Sequence, residues 1–283
     1  MRRIVTFKEA PLTLVGRVIR QDDAGPGFKA VSNDLQDITL ASFGNKIKVI
    51  TSFPSADTPV CDLQIKEFNK RATGFSADVV VIGVSKDLPF AQARFCQLNG
   101  IKNVTTLSDY KYSSFGINYG LLVKELNLLA RAALILDGAN VVRYIQVVSE
   151  ITQPPDYEAV LVALETIVKN PQAGTVTESG HCKPCEGGVL ALSKNMIERF
   201  LAGNPGWELV DDTKLVREFK FKDFAEAKYF LDLVAIIAEE QGHHPTLTLM
   251  YNKLRVILTT HMAGGVTDND FVMARIIDEI RGE

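Results

Sequence analysis

The chain is poor in the residues that carry most redox and metal chemistry: four cysteines, four histidines and one tryptophan in 283 residues. Four cysteines are too few for a disulfide framework, so each reads as reactive, metal-binding or simply buried. Long apolar runs are also missing, and no stretch approaches the roughly 18 residues that a membrane helix needs. The opening stretch, MRRIVTFKEAPLTLVG, has two arginines but no apolar core and no small-residue cleavage site. It does not read as a secretory signal. No charge of one sign dominates. The net charge is −3 with both signs interspersed, which gives no electrostatic case for nucleic acid or an anionic membrane surface. The expectation is a cytoplasmic protein, in a reducing compartment, that binds neither nucleic acid nor membrane.

The length predicts two domains, and the clearest break is the run KNPQAGTVTESGHCKPCEGG at 169–188. It is rich in Gly, Thr, Ser and Pro and nearly free of apolar residues. This places a first domain at 1–170, a linker at 171–180 and a second domain at 181–283. No internal repeat is visible, so the two parts are unlike.

In the first part, strands are expected at 46–53 and 78–85. The second of these, DVVVIGVS, is apolar throughout, as a centrally buried strand is. Helices are expected at 61–72 and 88–100, the latter ending at Asn99-Gly100. A pair of strands at 131–137 and 141–148 flanks the turn Gly138-Ala139-Asn140. A last helix, 156–169, keeps Val160, Leu161, Leu164, Ile167 and Val168 on one side. This order predicts a thioredoxin-like α/β sandwich. The second part reads as helix 193–203, strand 214–221, helix 224–242, two strands around Asn252-Lys253, and a final helix starting at Thr267 with Asp270 as capping-box acid. That order predicts an α+β domain, helices on one face of an antiparallel sheet.

Cys61 stands in PSADTPVCD, where a loop leaving a strand meets a helix start. The partial positive charge of a helix N-terminus favours a thiolate. Thr58 offers a hydroxyl one turn earlier, and Pro59 stiffens the loop. On spacing alone this cysteine reads equally as a nucleophile and as a buried structural thiol.

The separated words PLTLVG, FGNKIKVITSFPSADTPVCDLQIKEFN, SKDLPFAQARFC and LLARAALILD, in this order, resemble the thiol peroxidase branch of the atypical two-cysteine peroxiredoxins over about residues 5–168. The resemblance implies that Cys61 is the peroxidatic cysteine and Cys96 the resolving one, with Thr58 and Arg131 at the remaining active-site positions. It implies a Cys61 sulfenic acid, a Cys61–Cys96 disulfide and recycling by thioredoxin or a similar dithiol. Each cysteine lies on its own expected helix, so the helices must shift or partly unwind for the sulfurs to meet. Taken alone, Arg131 reads as a strand-start arginine facing water. A peroxide sensor that passes oxidation to a partner is the alternative for this domain.

Three of the four histidines fall between residues 243 and 261, in HHPTLTLMYNKLRVILTTH. A metal site, an acid–base site and chance are the three readings. His243 and His244 are neighbours and point apart in an extended segment, which weakens a three-histidine metal site. Acid–base work suits imidazole near neutral pH. A histidine simply packed on the sheet suits His244 better than the other two. Glu239, His243-His244-Pro245, Tyr251, His261 and Asp270, together with CKPCEGG, LAGNPGWEL, REFKFKDFAEA and THMAGGVTDNDF, resemble the pterin-4a-carbinolamine dehydratases over about residues 181–282. That family converts a 4a-hydroxytetrahydropterin to quinonoid dihydropterin. The resemblance implies that His243 and His261 are the acid–base pair, that His244 and Pro245 shape the pterin site, and that Asp270 orients His261 or its neighbourhood. Glu239 and Trp207 stand at the pocket edge, although Trp207 reads equally as a core anchor. No metal or organic cofactor is expected, because the pterin is the substrate. Both resemblances imply homo-oligomers, and a dimerisation or partner-binding module is the alternative for the second domain.

Cys182 and Cys185 form a Cys-x-x-Cys beside His181. Zinc lacks a second ligand pair nearby, which leaves a redox relay or incidental thiols.

Overall fold

The central strands of the first part form from β-branched and aliphatic runs whose successive residues are almost all buried. The computed structural model describes residues 3–169, 182 and 190–282. The expected linker at 171–180, with His181 and Cys185, lies outside the described residues. The chain divides into two compact units, Met1–Ser179 and Gly180–Glu283.

The first unit runs β1 (Arg3–Phe7), β2 (Ala10–Val15), β3 (Lys29–Ser32), β4 (Asp37–Thr39), β5 (Ile47–Ser52), α1 (Pro59–Ala72), β6 (Val79–Ser85), α2 (Pro89–Asn99), β7 (Val104–Ser108), α3 (Ser114–Asn118), β8 (Leu122–Val123), β9 (Leu128–Leu129), β10 (Ala132–Leu136), β11 (Val142–Val147) and α4 (Tyr157–Lys169). A seven-stranded sheet has the order β11-β10-β5-β6-β7-β3-β4. Its centre, β5-β6-β7, is parallel, and β10 joins β5 antiparallel. Val49, Val81, Ala133 and Ile135 pack with Ile65 and Phe68 of α1, Phe95 of α2 and Leu164 of α4. The alternate residues Ile50, Ile82, Val84 and Leu134 pack on the other face with Phe115 and Tyr119. Both faces are therefore covered, which is why these strands read as continuous apolar runs. This is the thioredoxin-like α/β sandwich expected from the element order.

The second, four-stranded sheet β1-β2-β8-β9 has no counterpart in the sequence reading. Its strands are short, and the β1–β2 turn contains no glycine: Lys8 and Glu9 take φ of 50° and 69°. A two-residue hairpin turn needs positive φ, and Asn-Gly or Asp-Gly is its usual sign. Here the energy comes from outside the hairpin. Glu150 accepts from Lys8 N at 3.1 Å, Glu9 N at 3.2 Å, Thr6 Oγ1 at 2.8 Å and Thr152 Oγ1 at 2.6 Å.

The second unit runs α5 (Lys194–Gly203), β12 (Glu208–Val210), β13 (Lys214–Lys220), α6 (Phe224–Gln241), β14 (Thr246–Met250), β15 (Lys253–Leu258) and α7 (Asp268–Arg281). The antiparallel sheet has the order β12-β13-β15-β14, with α6 and α7 packed on it. The three-residue β12 was not expected. Nor does the last strand reach His261. It stops at Leu258, and His261–Ala263 form a 3-10 turn closed by Gly264 at φ 67°. Thr267 caps α7 with Asp270 in a capping box, as its sequence predicts.

Hydrogen bonds, that of the Thr152 hydroxyl foremost, hold the Glu150 carboxyl at about 2, below its ordinary 4.5. A carboxyl depressed on folding contributes stability above its unfolded value and loses it as pH falls through the folded one. Glu150→Gln is therefore expected to lower the melting temperature at pH 7. The gap to the wild type should narrow between pH 4.5 and 2; a gap that is constant across that window would exclude the charge as its source.

Candidate active sites

Helix α1 starts immediately after the loop leaving β5, because Thr58 is extended (φ −100°, ψ 143°) and Pro59 supplies a first helical residue that needs no N–H partner. Cys61 is then the third helical residue. It lies in the first turn, where backbone N–H groups have no intrahelical acceptor. The sulfur is fully buried. Thr58 Oγ1 lies 2.8 Å from Cys61 Sγ and 3.1 Å from Ser55 O. The hydroxyl has one proton for these two acceptors. A thiolate draws that proton toward sulfur; a thiol leaves it on the carbonyl.

Arg131 precedes β10 and is only 1% exposed, so it does not face water as its position alone suggested. Its Nη2 donates to Cys61 Sγ at 3.3 Å and its Nε to Ile151 O at 2.9 Å, while Nη1 donates to Gln64 Oε1. Gln64 is also fully buried. Its Nε2 reaches Thr51 Oγ1, and Ser52 O at 3.3 Å, on β5. Gln64 is thus the site residue that the sequence reading missed. It sits one helical turn after Cys61, on the same face of α1, and that spacing was the available signal. Thr58, Cys61 and Arg131 converge. Cys96, on α2, is half-buried against the same core, with Thr106 Oγ1 at 3.5 Å from its sulfur. Cys61 and Cys96 are both free. Burial raises the Tyr157 phenol above its ordinary value, against the pull of Arg131, so it stays neutral near this cluster.

In the second unit, α6 ends at Gly242 in the left-handed conformation (φ 60°), with its N–H on Ala238 O. The His243 N–H then also turns back to Ala238 O, at 3.2 Å. This reversal sends consecutive side chains to opposite sides. His243 is buried at 7% exposure, and His244 lies on the surface, 3.0 Å from Glu239. The packed histidine is thus His243, whereas the sequence reading favoured His244 for that place.

Asp270 is fully buried. Its Oδ1 meets His243 Nε2 at 2.8 Å. Its Oδ2 accepts from Thr267 N at 2.7 Å, Thr260 Oγ1 at 2.9 Å and Thr267 Oγ1 at 3.2 Å. A carboxylate only accepts, so His243 Nε2 is the donor of this bond. Asp270 was expected to orient His261 or its neighbourhood; the carboxylate bonds the ring of His243. His261 is exposed, and among the described residues its ring makes no hydrogen bond.

Trp207 is packed as a core anchor. It is 4% exposed, and its Nε1 donates to Asp278 at 3.0 Å. Asp278 lies eight residues along α7 from Asp270, about 12 Å at 1.5 Å per residue. Pro245 is half-buried. Cys182 is buried, its N–H on Gln241 Oε1 at 2.8 Å and its sulfur 3.5 Å from Asn269 O. Among the described residues no three His, Cys, Asp or Glu side chains converge as metal ligands.

The Redoxin family model matches residues 20–161, about half of the chain. The model for pterin 4 alpha carbinolamine dehydratase matches residues 190–280. The thiol peroxidase of Staphylococcus saprophyticus is 46% identical over 163 residues, 58% of this chain and 98% of its own. The thiol peroxidase of Bacillus subtilis is 45% identical over 165 residues, with the same shares. A peroxiredoxin-like protein from Aquifex aeolicus superposes with a TM-score of 0.56 at 39% identity, covering 59% of this chain and 98% of its own. The chain belongs to the Redoxin family, as a thiol peroxidase-type peroxiredoxin joined to a pterin carbinolamine dehydratase.

Replacing Gln64 by Leu keeps the volume but strips a buried guanidinium of one acceptor. Peroxide-dependent oxidation of Cys61 is expected to slow about 10²-fold, the cost of a misplaced catalytic group. Rapid-mixing measurement of Cys61 oxidation checks this, and a rate within threefold or so of the wild type would dismiss Gln64 as a positioning residue.

Proposed function

We propose that the first unit reduces hydrogen peroxide and organic hydroperoxides through Cys61, and that the second dehydrates 4a-hydroxytetrahydropterin by histidine acid–base catalysis. The convergence of Thr58, Arg131 and the first turn of α1 on one buried sulfur supports the first half. The Cys61 thiolate attacks the distal peroxide oxygen. The O–O bond breaks, Cys61 becomes a sulfenic acid, and the alcohol or water leaves with a proton. Arg131 holds the thiolate and the polarised peroxide, being always charged. Thr58 moves its proton toward whichever oxygen or sulfur gains charge. Cys96 thiol then condenses with the sulfenic acid, releasing water and forming a Cys61–Cys96 disulfide. A dithiol such as thioredoxin returns both to thiols by exchange, chemistry suited to the reducing cytoplasm. Peptide mass mapping after one equivalent of peroxide should find one Cys61–Cys96 bridge, with Cys182 and Cys185 free. Bridges that use Cys182 or Cys185 would mean a different redox cycle.

The His243–Asp270 contact supports the second half. Dehydration needs a proton delivered to the leaving 4a-hydroxyl and one removed from the ring nitrogen side, with no net redox change. His243, held by Asp270 with Nδ1 free, and His261, exposed and unbonded, are the two proton carriers. His244, Pro245 and Glu239 line the approach. Each of His243→Ala and His261→Ala should lower the dehydration rate by about 10² to 10⁴-fold, the usual worth of a general acid or base. His243→Ala should also cancel the rise in melting temperature given by a pterin analogue. Full activity in both variants would remove the histidines from the chemistry, and absence of dehydration by the wild type would leave the unit as a binding or association module.

A further inference from the structure

Asp87 lies in the turn between β6 and α2, outside every role assigned so far. Its side chain joins two segments that the peroxide reaction uses separately. Oδ1 accepts from Ser55 Oγ at 2.7 Å, and Oδ2 accepts from Ala56 N at 2.8 Å. Both partners lie in the loop that presents Cys61. On its own side, Oδ2 also accepts from Ser85 Oγ at 2.8 Å, and Asp87 N donates back to Ser85 Oγ at 3.3 Å. Ser85 Oγ takes a further bond from Gln92 Nε2 at 2.9 Å, so the first turn of α2 is tied to the same hydroxyl. Ser108 Oγ on β7 donates to Asp87 O. Ser55 continues the chain, since its carbonyl accepts from Thr58 N at 3.1 Å. Thr58 ends it on Cys61 Sγ at 2.8 Å. A run of hydrogen bonds thus links the turn that launches the Cys96 helix to the sulfur of Cys61.

The link has a cost in the second step. In this arrangement the Cys61 sulfur is fully buried with Thr58 and Arg131 bonded to it, and the half-buried Cys96 of α2 lies 3.5 Å from Thr106 Oγ1 of β7. Both thiols are free and each sits on its own helix, so a disulfide between them requires the Cys61 loop and α2 to move relative to each other. The carboxylate of Asp87 is what joins the two. It is charge-assisted on at least three donors, which makes these bonds stronger than neutral ones.

We propose that Asp87 is a positioning residue that latches the Cys61 loop to the start of α2 in the peroxide-reducing arrangement, and that its release from Ser55 and Ala56 is required before the Cys61 sulfenic acid and Cys96 thiol condense to a disulfide and water. The latch divides the sulfenic acid between two fates: condensation with Cys96, and attack on a second peroxide to give sulfinic acid and an alcohol or water. A tighter latch favours the second fate. The inference rests on the Cys61–Cys96 cycle proposed above.

The test uses the full chain with Asp87→Asn and, as a milder change, Ser55→Ala, which removes one latch bond and leaves the β6–α2 turn intact. Reduced protein is mixed with excess cumene hydroperoxide, quenched in alkylating agent at successive times, and its peptides are weighed. Release of one net hydrogen bond should speed the passage from sulfenic acid to disulfide by about tenfold, and sulfinic Cys61 should fall in proportion. The first oxidation should slow or stay level, since Thr58 is held less firmly. A merely structural role would lower the melting temperature without moving this branching ratio. Unchanged disulfide rate and sulfinic yield in Ser55→Ala, with the wild type forming its Cys61–Cys96 bridge, would overturn the latch alone. Absence of that bridge in the wild type would overturn the cycle and the latch together.

Discussion

Arg131 is a full charge held almost wholly out of water, and the first unit is arranged around satisfying it. A buried guanidinium is tolerable only when its donors are met. Nε uses the carbonyl of Ile151, Nη1 uses Gln64, and Nη2 is left for the sulfur of Cys61. Gln64 and Cys61 share one face of α1, and Ile151 comes from the loop after β11. Ile151 is set by the loop that Glu150 fastens to the β1–β2 hairpin, with Thr6 O accepting from Ile151 N at 2.9 Å. Gln64 is set by β5 through Thr51 and Ser52. The peripheral small sheet and the central sheet therefore meet at one cation, and the donor left over is the one aimed at the Cys61 sulfur.

The second unit solves a similar problem with an anion. Asp270 is buried, and its Oδ2 is occupied by Thr267 and Thr260. One carboxylate closes the N-terminus of α7 and fixes the ring of His243. Local folding and site chemistry share the same atoms, so a change at Asp270 disturbs helix start and histidine orientation together. His261 carries no such burden. It stands exposed in a short 3-10 turn.

Much of the architecture was legible in sequence because it rests on local patterns. The apolar run of β6, the paired runs of β10 and β11, the Gly100 and Gly242 helix stops and the Thr267–Asp270 box each show within a few residues. The small sheet β1-β2-β8-β9 did not show. Its strands are of two to six residues, and its glycine-free hairpin turn is held by Glu150, more than 140 residues away. The site residues divide in the same way. Thr58, Cys61 and the histidines announce themselves by type and neighbourhood. Gln64 looks like any polar helix residue until β5 and Arg131 enclose it.

Residue order by itself determined the two unlike parts, the alternation of strands and helices in the first, the mixed order in the second, and the cysteines and histidines on which the chemistry is built. Those are consequences of periodicity, composition and short motifs, which need no distant contact. Only the tertiary structure decided that Arg131 turns inward, that Asp270 serves His243 rather than His261, that Trp207 belongs to the core and that Asp87 ties the Cys61 loop to the Cys96 helix. Each of these depends on which polar groups are buried together. A buried donor or acceptor takes the partner that folding brings within about 3 Å, and sequence spacing does not encode that distance.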